Sequence, residues 1–459
     1  MSDVLLSGEF EPIREEFALE DLAIEGGMPE ELEGSFYRIG PNPQFPPRGR
    51  YNPLMGDGMV HAFSVRGGRA AYRNRWVRTA QWRMERAAGR ALFATSGHPA
   101  ESDPAVAGLR TDGVANTNLV QHGGRLLALE EGHGPVEIVR ASLDTIGPWD
   151  FAGALPRNMT AHPKIDPVTG EMWFFANLPA GRLTGEIAWF VADASGAITR
   201  SGIIQGPYPV LIHDFAISDR HLVFPVCPLT ISLERVKAGG PPIAWEPGLG
   251  NHIGVLPKAG GEALWFEGPA AMAWHVVNAV EQAGHMALDV CAQAEAVFPR
   301  PDGTAPDEAA TTQRLTRWTF DVGGARRFRA DALCGERCEY PRIDERRTGR
   351  AYRDAYVTCL GGPGSGDPFH RGIGRFDLES GKMAIWAAAP GQAVGEPVFA
   401  PRPGGGEGEG WLLSGIYDSA TGTSHLAVFD AEAVEAGPIA RAHLPHRMPM
   451  GFHGCWIGR

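Results

Sequence analysis

Met159-Thr160-Ala161-His162-Pro163-Lys164-Ile165-Asp166-Pro167-Val168-Thr169-Gly170-Glu171 leads straight into Met172-Trp173-Phe174-Phe175. Asp166, Pro167 and Gly170 form a turn signal, and the apolar run behind them reads as a strand. His162 sits just ahead of the turn. On its own it is a loop histidine. Three others share its apolar setting: Leu211-Ile212-His213-Asp214-Phe215, Ala273-Trp274-His275-Val276-Val277-Asn278 and Gly451-Phe452-His453-Gly454-Cys455-Trp456. Imidazoles inside apolar runs need buried partners for their ring nitrogens. One shared metal ion is the simplest partner for all four.

The turn-then-strand unit repeats along the chain and decides the fold. Short apolar runs punctuated by Gly, Pro, Asp or Asn occur at 125–130, 172–177, 221–226, 263–266, 285–291, 314–321, 355–360, 373–378, 383–388, 411–417 and 424–430. Gly67-Gly68 closes a hairpin between two further strand patterns, and Gly404–Gly410 reads as an exposed hairpin loop. Residues 80–110 begin with helical composition and continue as a loop; 231–238 and 429–436 are short helical candidates. Many short strands at near-regular spacing indicate a sandwich, a barrel or a propeller. The 459 residues favour a propeller of six or seven blades, at roughly 45 residues each. Residues 1–33 read as a lead-in arm, and the whole of 1–459 as one domain.

Composition narrows the partners. A net charge of −12 with no basic stripe argues against nucleic acid. The 60 glycines and 37 prolines are dispersed, which suits tight turns rather than disorder. The N-terminus lacks the basic and apolar regions of a signal peptide, and no run is long enough to span a bilayer. A cytoplasmic location is expected, and an apolar lip resting on a membrane surface is compatible with it. The six cysteines read as free thiols; Cys334 and Cys338 lack the second pair a zinc site needs. No obligate protein partner is expected.

The histidines are separated by roughly 50, 60 and 180 residues, unlike the i, i+4 pair of a helix-borne zinc site. Such spacing suits ligands from different blades meeting at a propeller axis. Imidazole donors accept iron, zinc, copper or nickel. In an octahedral site four of them leave two positions open. Ligating imidazoles normally give their second N–H to a carboxylate or carbonyl. Glu131, Glu339 and Glu396 stand in apolar frames and are candidates, although each taken singly reads as a strand-end glutamate.

The sequence resembles the carotenoid cleavage oxygenase family nearly end to end. The resemblance rests on Phe36-Tyr37-Arg38-Ile39-Gly40-Pro41-Asn42-Pro43, Gly56-Asp57-Gly58-Met59-Val60-His61, Ala115-Asn116-Thr117-Asn118, Ala161-His162-Pro163-Lys164 and His213-Asp214-Phe215. It continues in His275-Val276-Val277-Asn278, Glu339-Tyr340-Pro341-Arg342, Glu396-Pro397-Val398-Phe399 and His453-Gly454-Cys455-Trp456. It implies an all-β, seven-bladed β-propeller with a dome of loops and short helices over an axial metal site. It also implies one Fe(II) per chain on His162, His213, His275 and His453, with Glu131, Glu339 and Glu396 bracing three of those imidazoles. Thr117 falls where many members place a threonine methyl beside an open coordination position. His61, His122 and His133 are not at ligand positions.

The activity implied is cleavage of a conjugated C=C bond by O2 into two carbonyl products, on an apolar small molecule. No flavin, haem or nicotinamide is implied, and no dinucleotide fingerprint is present. Trp245-Glu246-Pro247 and Ile253-Gly254-Val255-Leu256-Pro257 resemble the bacterial stilbene and phenylpropene cleavers. Those enzymes hold a phenolic oxygen with a tyrosine and a lysine, where this chain places Ser96 and Glu130. A carboxylate there would repel a phenolate. The sequence therefore points first to a carotenoid or apocarotenoid, with a stilbene or phenylpropene as the alternative. A non-catalytic scaffold and a retinoid isomero-hydrolase are the weaker readings.

Overall fold

The computed structural model describes residues 4–96, 99–177, 184–361 and 370–459. It contains seven antiparallel sheets of four or more strands, the blade set of a seven-bladed β-propeller. The chain partitions into two compact units: Met1–Ala161, Phe369–Gly372 and Trp386–Arg459, and His162–Pro368 with Ile373–Ile385.

The first unit carries three of the sheets. One joins Ala18–Leu19, Arg69–Trp76, Gly58–Arg66, Gly34–Pro41 and Gly454–Gly458 in that spatial order. Both ends of the chain therefore lie in one sheet, with Phe36 opposite Trp456 and Arg38 opposite Gly454. A second sheet does the same, because Ala23–Gly26 pairs with Pro438–His443. The lead-in arm is thus woven into two blades as edge strands. The third sheet is a meander of Asn118–His122, Arg125–Leu129, Val136–Ile138 and Thr145–Pro148.

The second unit holds the meander Lys164–Ile165, Met172–Ala176, Glu186–Ala192 and Ile198–Gln205, and the sheet Ala216–Ile217, His221–Val226, Asn251–Pro257 and Leu264–Gly268. Met272–Gln282 opens the next meander, and Cys338–Arg342 opens the last. Met172–Ala176 is buried along its whole length, as a strand covered on both faces must be. Its Trp173 and Phe175 join Phe215 and Phe224 in one apolar cluster. Side chains of this kind contribute roughly 1.5–3 kcal/mol each on leaving water.

Every apolar run read as a strand overlaps a strand, with ends that differ by a residue or more in several. The helix expected at the start of 80–110 is Ala80–Ala88, capped by Thr79 and ended by Gly89 at φ 67°. The candidate at 231–238 is Leu233–Lys237. Residues 429–436 are not a helix. Phe429 pairs with Leu412 at the end of strand Thr423–Asp430, and only Val434–Ala436 winds, as one 3-10 turn. Ladder pairing of a fully buried Phe429 outweighs a weak helical preference. All six cysteines are free. Among the described residues no helix is long and apolar enough to cross a membrane.

Candidate metal centre

In the second unit, three histidines meet. His213 Nε2 lies 3.1 Å from His162 Nε2 and 3.2 Å from His275 Nε2. Each arrives from a different sheet, and each segment is held by polar contacts. His162 precedes the short strand Lys164–Ile165, whose Lys164 pairs with Trp173. Ile212, just before His213, gives and takes a hydrogen bond with the Asn177 side chain at 3.3 and 2.7 Å. His275 sits where strand Met272–Gln282 bulges between Ala273 and Val276, which takes it out of the ladder.

Glu339 supplies the outer support for His275. Its carboxylate can only accept, so the 2.6 Å contact places a proton on His275 Nδ1 and leaves a lone pair on Nε2. The same oxygen accepts from the Tyr340 N–H. Tyr340 has φ 51°, uncommon for a residue with a Cβ, and its ring stacks on His275 at 5.4 Å between centroids. A bulge between Glu339 and Arg342 accompanies this turn. Strained backbone here buys two contacts to one imidazole.

In the first unit, His453 is fixed from three directions. Ile39 N–H donates to its carbonyl at 3.0 Å, and its own N–H donates to the Thr117 carbonyl at 3.2 Å. Its Nδ1 donates to Glu396 Oε1 at 2.9 Å, while Gly454 N–H occupies Oε2 at 2.8 Å. The approach of this segment requires glycine. A Cβ on Gly40 would lie 2.3 Å from the Gly451 Cα. Thr117 is buried beside Asn116, to which its hydroxyl donates at 3.0 Å. Glu131 is half-buried, and its carbonyl accepts from Asn158 at 2.9 Å.

The donor set suits a metal. The ligand-capable nitrogens of His162, His213 and His275 lie within 4.8 Å of one another. Imidazole nitrogens this close together, with the His275 Nε2 lone pair among them, fit a borderline divalent cation. His61 is used otherwise: its Nδ1 meets the Tyr72 hydroxyl at 2.7 Å in the core, and burial holds its pKa well below the usual value.

Glu130 and Ser96, which the sequence reading set against a phenolic substrate, have partners that the sequence did not disclose. Glu130 Oε2 accepts from the Val114 and Ala115 N–H groups at 2.8 and 3.3 Å, and Oε1 pairs with His133 Nδ1. A turn that brings position i+3 back onto a buried carboxylate was the available signal. Ser96 donates to Glu101 at 2.6 Å; the neighbouring Gly97 is outside the described residues. The Glu130 hydrogen bond raises the His133 pKa above 6.5. A raised histidine stabilises fully below its unfolded pKa and loses that contribution as pH climbs through the folded one. The Tm advantage of wild type over Glu130→Gln should therefore be full below about pH 6.5 and shrink as pH rises above it. A constant gap would mean that the pair is not ionic.

A family profile described as retinal pigment epithelial membrane protein matches residues 10–458. The isoeugenol monooxygenase of Pseudomonas nitroreducens is 34% identical over 481 residues, covering 100% of this chain and 98% of the relative. The crystal structure of Pseudomonas brassicacearum lignostilbene dioxygenase matches with TM-score 0.95 at 33% identity, covering 100% of this chain and 99% of that one. A cobalt-substituted Synechocystis apocarotenoid oxygenase matches with TM-score 0.85 at 30% identity, covering 98% and 97%. Fold and relatives together define an alkene-cleaving oxygenase on a seven-bladed propeller. The chain belongs to the carotenoid cleavage oxygenase family.

Proposed function

We propose that this enzyme cleaves a C=C bond conjugated with an aromatic ring, as in a phenylpropene or stilbene, using one Fe(II) and O2. Its proposed ligands are His162, His213 and His275, the donor set of the second unit, with His453 as the fourth. Each carbonyl product carries one atom of the O2. Bound iron supplies the activation of O2, and the chain supplies orientation and a dry site. Glu339 and Glu396 keep two imidazoles in the tautomer that offers Nε2. Glu131 is the third brace of the proposal, and Thr117, whose carbonyl holds the His453 backbone, is proposed to stand beside the metal.

The observation that carries the aryl-alkene reading is the full-length agreement with the lignostilbene dioxygenase, 0.95 against 0.85 for the apocarotenoid oxygenase. The sequence argument for a polyene rested on Glu130 repelling a phenolate. That argument weakens, because two backbone N–H groups and His133 already compensate the carboxylate. The substrate is then an apolar small molecule with one polar end, and neither nucleic acid nor an obligate protein partner takes part. A cytoplasmic setting, with optional contact at a membrane surface, goes with such a substrate.

Iron-loaded protein offered isoeugenol, 4-hydroxystilbene and an apocarotenal, with aldehydes identified by mass, tests this. The expected outcome is a kcat/KM for an aryl alkene at least about tenfold above that for the polyene. Efficient cleavage of the apocarotenal with no turnover of either aryl alkene would restore the polyene as substrate.

A further inference from the structure

One carboxylate touches all three histidine-bearing segments of the second unit. Asp214 directly follows His213. Its Oδ1 accepts from the Lys164 ammonium at 2.7 Å, and Lys164 lies two residues beyond His162. The same oxygen accepts from the Phe215 N–H at 2.7 Å. Its Oδ2 accepts from the Val276 N–H at 2.8 Å, and Val276 directly follows His275. The Asp214 side chain is 2% exposed and that of Lys164 20%. The three segments lead into three different sheets.

We propose that the Asp214–Lys164 pair is a positioning device for the metal: it sets the spacing of His162, His213 and His275. This rests on the reading of those residues as ligands. The chemistry favours a charged pair over a neutral one. Asp214 must satisfy three donors from three segments with two oxygens, and only a carboxylate presents acceptors on both sides. A buried, charge-assisted bond is also short and directional, which fixes Lys164 and with it the exit from His162. An asparagine would turn its NH2 toward either the ammonium or the Val276 N–H, donor against donor. Lys164 can be replaced more gently. Methionine keeps the stem, and arginine keeps the charge on a longer reach.

The test uses full-length protein loaded with Co(II), whose visible bands report ligand geometry without turnover. Release of the metal to a chelator is timed in parallel. Wild type should bind one Co(II) per chain. Asp214→Asn should release it at least about tenfold faster and shift the visible bands, and Lys164→Met should do so to a lesser degree. Lys164→Arg should restore much of the loss. Lys258→Met is the control, since it removes an equally short buried pair, Lys258 with Asp166 at 2.7 Å, that reaches neither Asp214 nor Val276. Its release rate and spectrum should match wild type.

Wild-type spectra and release in both Asp214→Asn and Lys164→Met would overturn the proposal while leaving the ligands in place. So would a Lys258→Met variant as impaired as Lys164→Met, because the effect would then be general loosening. Failure of wild type to bind one Co(II) would instead sink the ligand reading beneath it. If Asp214→Asn does not fold, Lys164→Met and Lys164→Arg decide the matter, since both keep every backbone bond to Asp214.

Discussion

His453→Ala is expected to give a folded protein that retains no iron after passage over a chelating resin and has no alkene-cleaving activity. The backbone bonds that place this residue, from Ile39 and to Thr117, do not involve its side chain, so the fold should survive. Gly454 N–H would still occupy Glu396. What disappears is one of four proposed ligands, together with the neutral donor in a site that holds no carboxylate ligand. His61→Ala is the matched control. His61 is equally buried, but its partner is Tyr72, and its loss should cost some stability and leave metal content unchanged. Metal analysis of both variants, purified without oxygen and reconstituted with Fe(II), decides it. Stoichiometric iron in His453→Ala, or none in His61→Ala, would show that the ligand set is wrong. Full activity with zinc alone would remove iron.

The carboxylates come next in size of effect, and the two should not be equal. Losing the outer partner of a metal-bound histidine typically costs about 10–100-fold in affinity or activity. Glu396 uses both oxygens, one for His453 Nδ1 and one for Gly454 N–H. Glutamine has a single acceptor, so one donor would face its NH2. Glu339 accepts from both His275 Nδ1 and Tyr340 N–H on one oxygen, an arrangement glutamine can keep. Glu396→Gln should therefore fall near the top of that range and Glu339→Gln near the bottom, in iron affinity measured by competition with a chelator. Wild-type affinity in both would separate these residues from the metal. Reversed ranking would mean that charge outweighs acceptor count.

Much of this could be read in the chain beforehand. His162, His213, His275 and His453 were visible because imidazoles in apolar runs are costly without partners. Strands such as Met172–Ala176 and Arg314–Asp321 were visible because apolar runs between turn residues have few other uses. Ile198–Gln205 escaped notice because it is an outer strand with mostly exposed residues and no clean alternation. The bracing roles of Glu339 and Glu396 came from family resemblance, since a strand-end glutamate in a sequence carries no sign of its partner. Asp214, Lys164 and Asn177 were present in quoted or neighbouring stretches without a role. Their contacts run to side-chain and backbone groups tens of residues away, and such contacts leave no periodicity. Glu130 was located, but its counter-ion was not, so its charge was judged as if naked.

The sheets shared by the two ends of the chain set a timetable for synthesis. Glu25 and Arg441, joined at 2.6 Å, are 416 residues apart. Phe36 and Ile39, fully buried in the finished blade, lie on a strand whose outer edge is covered by Gly454–Gly458 and the residues just before them. At roughly 5–20 residues per second, that edge stays open on the ribosome for tens of seconds after it is made. The second unit, continuous over most of its length, has emerged by then. A nascent chain thus carries a bare, apolar strand edge through most of its production, a template for wrong pairing. Yield of the folded enzyme in a host cell is then governed by how well that edge is shielded until the final strand arrives.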